Sequence, residues 1–448
     1  MQIQQFVTKA LGDSSYLVVA GRSAAVVDPQ RDVRPYLEAA HEYAATIEFV
    51  VETHLHNDYI SGGPELAARG ARIVAPAGAK LQFEHQPIAE GEGISLEQAR
   101  LDAVSAPGHT HEHTAYLALN EDGSKVGAFT GGAILVGSAG RSDLLGNDHT
   151  DELTRLQWET AHRLAGLLSP DSDILPTHGS GSFCASSGGG GRRRSHLGEE
   201  KESNPVLDSP DFDSFRRIHL SNLSPIPSYY SQMAPINRQG ATVFGEPPRP
   251  RLLTPSALEE LDVPLVDVRS RLEYAAAHVP GSVSVEESSS QLAYLAWMLP
   301  FNSPLALITT TEGEAERITV DLFRIGFEQV LGYLPITRWL EAGRPLERLQ
   351  TVDEGGAVEL LQHGSPALDV RFEREHRSEP VPGAQQLPID RFHEWADQVK
   401  DSEPLILCAS GQRSTIVASF LRKRGLDPIV LVDGGASDLR ERLDEATA

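Results

Sequence analysis

Three short stretches place imidazole and carboxylate groups where they could hold a cation. In "THLHNDYISGG", residues 53–63, His54, His56 and Asp58 fall in a turn after an apolar run. His109 follows a Pro-Gly turn in "SAPGHTHEH", and His178 closes "ILPTH". Imidazole nitrogens and carboxylate oxygens suit zinc or iron, and strand ends are where open α/β sheets place ligands. A fourth stretch, "LILCASGQRST", puts Cys408 at the end of an apolar run. Ala409, Ser410, Gly411, Gln412, Arg413 and Ser414 then lead into a helical pattern. Backbone N–H groups at a helix start attract anions, and Arg413 adds a cation. Together they are expected to lower the Cys408 pKa and hold a thiolate or a persulfide. His111 and His113 read as solvated loop residues, and Cys184 as a small buried one.

Those residues need strands and turns to carry them. "SYLVVAG", "SAAVVDP", "IEFVVETH" and "ARIVAP" have the β-branched character of strands. "VRPYLEAAHEYAA" and "DELTRLQWETAHRLAGLL" have the spacing of amphipathic helices. Residues 186–196, "SSGGGGRRRSH", read as a flexible basic loop. Residues 222–256 are Pro-rich and read as a linker after a first domain at 1–221. Beyond the linker the chain repeats itself: "LVDVRSRLEYAAAHVPGSVSV" is answered by "ALDVRFEREHRSEPVPGAQQL". Each copy predicts a small α/β unit with a parallel sheet, at 257–345 and 352–448.

Composition narrows the function classes. With 448 residues, two or three domains are expected. A net charge of −24 argues against nucleic acid and anionic membranes as partners. Only two cysteines, and no basic start followed by a long apolar run, predict a reducing cytoplasm and no secretory signal.

Taken in order, "THLHNDYISGG", "APGHT", "FTGG…GRSDLLG" and "LPTHG" resemble the metallo-β-lactamase superfamily, in its glyoxalase II and persulfide dioxygenase branch. The resemblance implies an αβ/βα sandwich with a metal at one edge. It implies a first metal position of His54, His56 and His109, and a second with Asp58 and His178. Tyr59 stands where the second position has a His, and Gly132 where a bridging Asp belongs. One ion, Fe(II) or Zn(II), is therefore expected rather than two. The Cys408 loop with its "DVR" and "PGA" segments resembles a rhodanese domain, whose Cys-x4-Arg loop suits a sulfane sulfur. The preceding copy reads Ile308-Thr309-Thr310-Thr311-Glu312-Gly313-Glu314 in that region; it lacks the nucleophile, and its two glutamates would repel an anionic sulfur substrate. The fusion implies oxidation of a low-molecular-weight persulfide coupled to sulfur transfer through Cys408. A zinc-dependent thioester hydrolase, or a metal-free scaffold serving the rhodanese domain, are the alternatives. Implied partners are a small thiol persulfide, thiosulfate or sulfite, with a homodimer as a further expectation.

Overall fold

The computed structural model describes residues 1–186 and 191–447 and divides into two compact units, Met1–Pro247 and Pro248–Ala448. In the first, alternating apolar residues build two six-stranded sheets. One runs β1 (Gln2–Thr8), β2 (Asp13–Ala20), β3 (Ser23–Val27), β4 (Thr46–Val51), β5 (Arg72–Pro76), β6 (Gln86–Ile88). The other orders β12 (Ser195–His196), β11 (Asp173–Pro176), β10 (Lys125–Gly131), β9 (Thr114–Asn120), β8 (Ala99–Ser105), β7 (Gly93–Leu96).

The period of two decides which face each residue serves. Tyr16, Val18 and Ala20 of β2 pack between the sheets against Leu101, Tyr116 and Phe129. Their neighbours Leu17 and Val19 point outward to Tyr36, Ala39 and Ala40 of the helix Arg34–Glu42. On the far side the helix Asn147–Leu167 lays Ala161, Leu164 and Ala165 on Ala115, Leu117 and Ile174. The result is a helix–sheet–sheet–helix sandwich. Two backbone bonds join the sheets at one edge: Thr114 N–H donates to Thr53 O at 2.8 Å, and Ser14 N–H to Thr177 O at 2.7 Å.

The second unit holds two parallel sheets with matching order. The first is β14 (Val283–Ser284), β13 (Leu265–Asp267), β15 (Leu305–Thr309), β16 (Val330–Pro335). The second is β19 (Ala384–Gln386), β18 (Ala367–Asp369), β20 (Leu405–Leu407), β21 (Ile429–Leu431), with β17 (Gln350–Val352) added at its edge. The repeated Asp-Val-Arg makes the same bonds twice. Arg269 forks onto Asp267 and reaches Ala277 O; Arg371 forks onto Asp369 and reaches Glu379 O.

Two expectations change. Residues 222–256 are not a free linker. The helix Tyr230–Gln239 belongs to the first unit, while Leu253 N–H already donates to Tyr333 O in the second. Its apolar residues are sparse, which is why periodicity misses it, yet Tyr230, Met233 and Asn237 are buried. In the basic loop, residues 187–190 lie outside the described residues, and the arginines that follow are tied down. Arg193 donates to Gly12 O and Ser180 O, and Arg194 pairs with Asp173. Among the described residues no helix is long and apolar enough to cross a membrane.

Candidate metal centre and sulfur loop

The joined sheet edges bring three turns together. His54 follows β4, His109 follows β8 and His178 follows β11, and all three are buried. Each ring has its Nδ1 facing an acceptor. For His54 this is Thr53 Oγ1 at 2.8 Å, whose own proton goes to Asp28. For His109 it is Arg141 O at 2.7 Å, and for His178 Asp13 Oδ1 at 3.0 Å. These partners assign the proton to Nδ1 and leave the lone pair on Nε2. The ligand nitrogens of the three rings lie within 4.8 Å of one another. His54 Nε2 and His178 Nε2 are 3.3 Å apart, and His109 Nε2 has no hydrogen-bond partner. Converging lone pairs of this kind are satisfied by a cation. The donor set fits zinc or iron.

His178 shows what a metal would compete with. Burial opposes its charge, but Asp58 and Asp13 outweigh burial and raise its pKa to about 10. Proton and metal therefore contend for the same Nε2. Burial pushes His54 and His109 well below the ordinary value, with neighbouring imidazoles adding to the effect. Asp58 Oδ2 lies 3.1 Å from His178 Nδ1; burial works to raise the Asp58 pKa, but His178 outweighs it and holds the carboxyl well below the ordinary carboxylate range.

His56 takes a different place from the one implied by the resemblance. Its Nε2 sits 3.2 Å from Asp28, 3.1 Å from Glu52 and 3.1 Å from the Tyr59 hydroxyl. Burial is again outweighed, by Asp28 and Glu52, and the pKa rises to about 10. Its Nε2 is occupied by these protein groups and does not face the His54–His109 cluster as His178 Nε2 does. The tight group around His54 and His109 is completed by His178 instead of His56. Tyr59 stacks on His56 with centroids 4.4 Å apart and donates to Asp28 O, so it braces the turn.

Gly132 is filled from outside. A Cβ there would stand 2.6 Å from Cγ and Cδ2 of the His109 ring. His113, expected in solvent, is buried and accepts the Gly132 N–H at 2.9 Å. Its ring stacks on His54 at 5.1 Å, and burial lowers its pKa to about 3. His111 is exposed, as expected. Cys184 is buried beside the Tyr230 hydroxyl, and burial pushes its thiol well up.

Sequence reasoning misses the outer layer of this site. Asp28 accepts from Thr53 N–H and Oγ1 and from Thr177 Oγ1. Asp143 forks onto Arg141, whose carbonyl holds His109. Asn237 donates to His56 O and Tyr59 O and accepts from Ser61 N–H, clamping the whole turn. Asp28 leaves a local trace as a carboxylate directly after the strand in "SAAVVDP", and Asp143 stands in the "GRSDLLG" stretch, where the resemblance implies a structural role that its fork onto Arg141 matches.

In the second unit Cys408 lies at the foot of the helix Gln412–Arg422, 1% exposed, with its Sγ 3.6 Å from Ser414 Oγ. Gly411 caps that helix with φ +86°, and a Cβ there would fall 1.9 Å from Val432 O. Ala409 and Ser410 are exposed, while Gln412 donates to Ser288 of the preceding repeat at 2.8 Å. Arg413 forks onto Glu375 at 2.5 and 2.7 Å and lies over the Phe372 ring, so a carboxylate shares the charge that also faces Cys408. In the earlier repeat Val268 N–H donates to Ile308 O as Val370 N–H does to Leu407 O, which puts Thr309 at the position of Cys408. There the Glu314 carboxylate accepts the Thr310 N–H.

A family model for the rhodanese-like domain matches residues 254–334 and 355–442. A crystal structure of a metallo-beta-lactamase from Staphylococcus aureus subsp. aureus COL superposes with a TM-score of 0.67 at 25% identity, over 75% of this chain and 98% of that one. A hydroxyacylglutathione hydrolase of Acidiphilium cryptum is 37% identical over 106 residues, 23% of this chain. The chain spans less than half of that relative, 43% of its length. One from Rhodospirillum rubrum is 28% identical over 213 residues, 42% of this chain and 80% of the relative. The first unit is thus a metallo-β-lactamase fold with a buried His/Asp cluster at its sheet edge. The whole chain is a fusion of that fold with rhodanese-like domains.

Proposed function

We propose that this chain is an enzyme of sulfur metabolism, working in a reducing cytoplasm, that oxidises a small persulfide in its first domain and transfers sulfane sulfur through Cys408. The overall oxidation is RSSH + O2 + H2O → RSH + sulfite + 2 H⁺. His54, His109 and His178 would hold one Fe(II), which would supply the affinity for O2 and sulfur. Thr53, Arg141 and Asp13 keep the three rings in the right tautomer. Asp58, paired with His178 at 3.1 Å, helps hold that ring in place beside the cluster. At Cys408 a persulfide sulfur passes to sulfite: Cys-S-S⁻ + sulfite → Cys-S⁻ + thiosulfate. The observation that carries this reading is a buried cysteine at a Gly-capped helix start in the same chain as a cluster of convergent imidazoles. Elemental analysis of anaerobically purified protein, with O2 uptake on a persulfide, tests it. Iron with persulfide-dependent uptake supports it, and a protein without metal sinks it.

A second reading is a zinc-dependent thioester hydrolase, supported by the hydroxyacylglutathione hydrolase relatives. Three imidazoles, with His178 giving up its extra proton to the metal and a fourth position left open, suit zinc-activated water. Zinc with thioester cleavage and no O2 uptake would select it.

A further inference from the structure

Outside the buried cluster, two more imidazoles and a carboxylate meet on the surface of the first unit. His111 comes from the turn after β8, and His149 and Glu152 from the start of the helix Asn147–Leu167. One ligand atom of each lies within 4.8 Å of the other two, and the His111 and His149 rings stand edge to face with centroids 5.3 Å apart. We propose that these three side chains bind a divalent transition ion, Zn(II), on the outside of the turn that carries His109.

Two imidazoles and one carboxylate make a zinc triad, with water completing a four-coordinate shell. Ligands about 2.1 Å from one tetrahedral ion stand roughly 3.4 Å apart. All three side chains are exposed, so small rotations close them to that spacing. His149 and Glu152 are three residues apart and share one helix face. Fe(II) binds such a set more weakly than zinc. A net charge of −24 also draws divalent cations toward the chain.

Packing fixes the two elements against each other before any ion arrives. Gly108 lies directly on the helix: a Cβ there would fall 2.4 Å from Gln157 Cα. Thr160 Oγ1 donates to Pro107 O at 2.7 Å, and Gln157 Nε2 to Gly132 O at 2.9 Å. Within the turn His109 and His113 are buried while His111 is exposed. Glu112 between them accepts the Leu55 N–H at 3.1 Å, which ties the turn to the one bearing His54. The ligands therefore sit on braced backbone, as a specific metal site requires. Zinc there cross-links turn and helix from the solvent side, two residues from His109. The assignment stands whatever the buried cluster binds.

Zinc titration calorimetry on the full chain tests it. Wild type should take up one ion more than His149→Ala and Glu152→Ala, or hold that ion at least tenfold tighter. His162→Ala, which removes an exposed imidazole further along the same helix, should match wild type. Amide hydrogen exchange locates the ion: zinc should slow exchange at residues 108–113 and 147–152 in wild type more than in Glu152→Ala. A buried cluster that takes no zinc lowers every isotherm equally and leaves the difference between wild type and variants in place. Isotherms that superpose for wild type and both variants overturn the proposal. So does an equal loss in His162→Ala, which would mark indiscriminate binding to surface imidazoles.

Discussion

His54 Nε2 and His178 Nε2 face each other across 3.3 Å, each ring having its other nitrogen against a protein acceptor. Two lone pairs at that distance repel unless a proton or a cation lies between them. The trio is completed by His109, and removing any one of the three rings should therefore abolish tight metal retention. His109→Ala is expected to purify with less than a tenth of the wild-type metal per chain, read by elemental analysis after dialysis. Asp143→Ala, which acts only through Arg141 and its carbonyl, should weaken metal affinity about 10- to 100-fold.

Gly132→Asp restores the carboxylate that the resemblance leads one to expect. It should not restore a second metal. The new side chain would start 2.6 Å from the His109 ring, which Arg141 O holds in place. Overpacking of this kind costs about 1–3 kcal/mol. A lower thermal midpoint with no gain in bound metal is expected; a variant binding two ions would show that the ring moves aside.

Cys408→Ser should eliminate thiosulfate formation while leaving metal content and O2 uptake at wild-type levels. Loss of both activities would contradict the division of labour between the two units. Sulfur transfer and O2 consumption measured on one preparation decide it.

Thr309→Cys in a Cys408→Ser background should remain inactive as a sulfurtransferase. Thr309 matches Cys408 in the sheet, but the Glu314 carboxylate already accepts the Thr310 N–H and would repel an incoming anion. Adding Glu314→Gln should raise any residual transfer, and a fully active Thr309→Cys protein would refute the electrostatic explanation.

Burial works to raise the Glu375 pKa, but the Arg413 pair outweighs it and holds the carboxyl below its ordinary 4.5. A depressed acid contributes stability above its unfolded pKa and loses it as pH falls through the folded one. The second unit should thus be insensitive to this pair from pH 7 to about 5 and lose its contribution below the ordinary glutamate value. Glu375→Gln should cost about 1–2 kcal/mol at pH 7 and flatten that acid limb in pH-dependent unfolding, since Arg413 stays buried without its counter-charge.

Much of this was readable from residue order. The strands announce themselves by β-branched runs, the three imidazole turns by Pro, Gly and strand ends, and the duplicated unit by its Asp-Val-Arg pair. What escaped depends on long-range neighbours. His178 meets Asp13 across most of the first unit, and Asn237 reaches back to His56 from a segment with little apolar periodicity. His113 reads as solvated because its burial comes from the Gly131–Gly132 backbone. Arg413 reads as a free cation because Glu375, on a different turn, is invisible to local pattern.

The Asn237 clamp also bears on how the molecule can be divided. A fragment ending at residue 221 would keep every imidazole yet forfeit the amide that fixes the carbonyls of His56 and Tyr59 and the N–H of Ser61. Anyone expressing the amino-terminal half by itself should cut after Pro247, because the shorter piece would carry its ligands on an untethered turn.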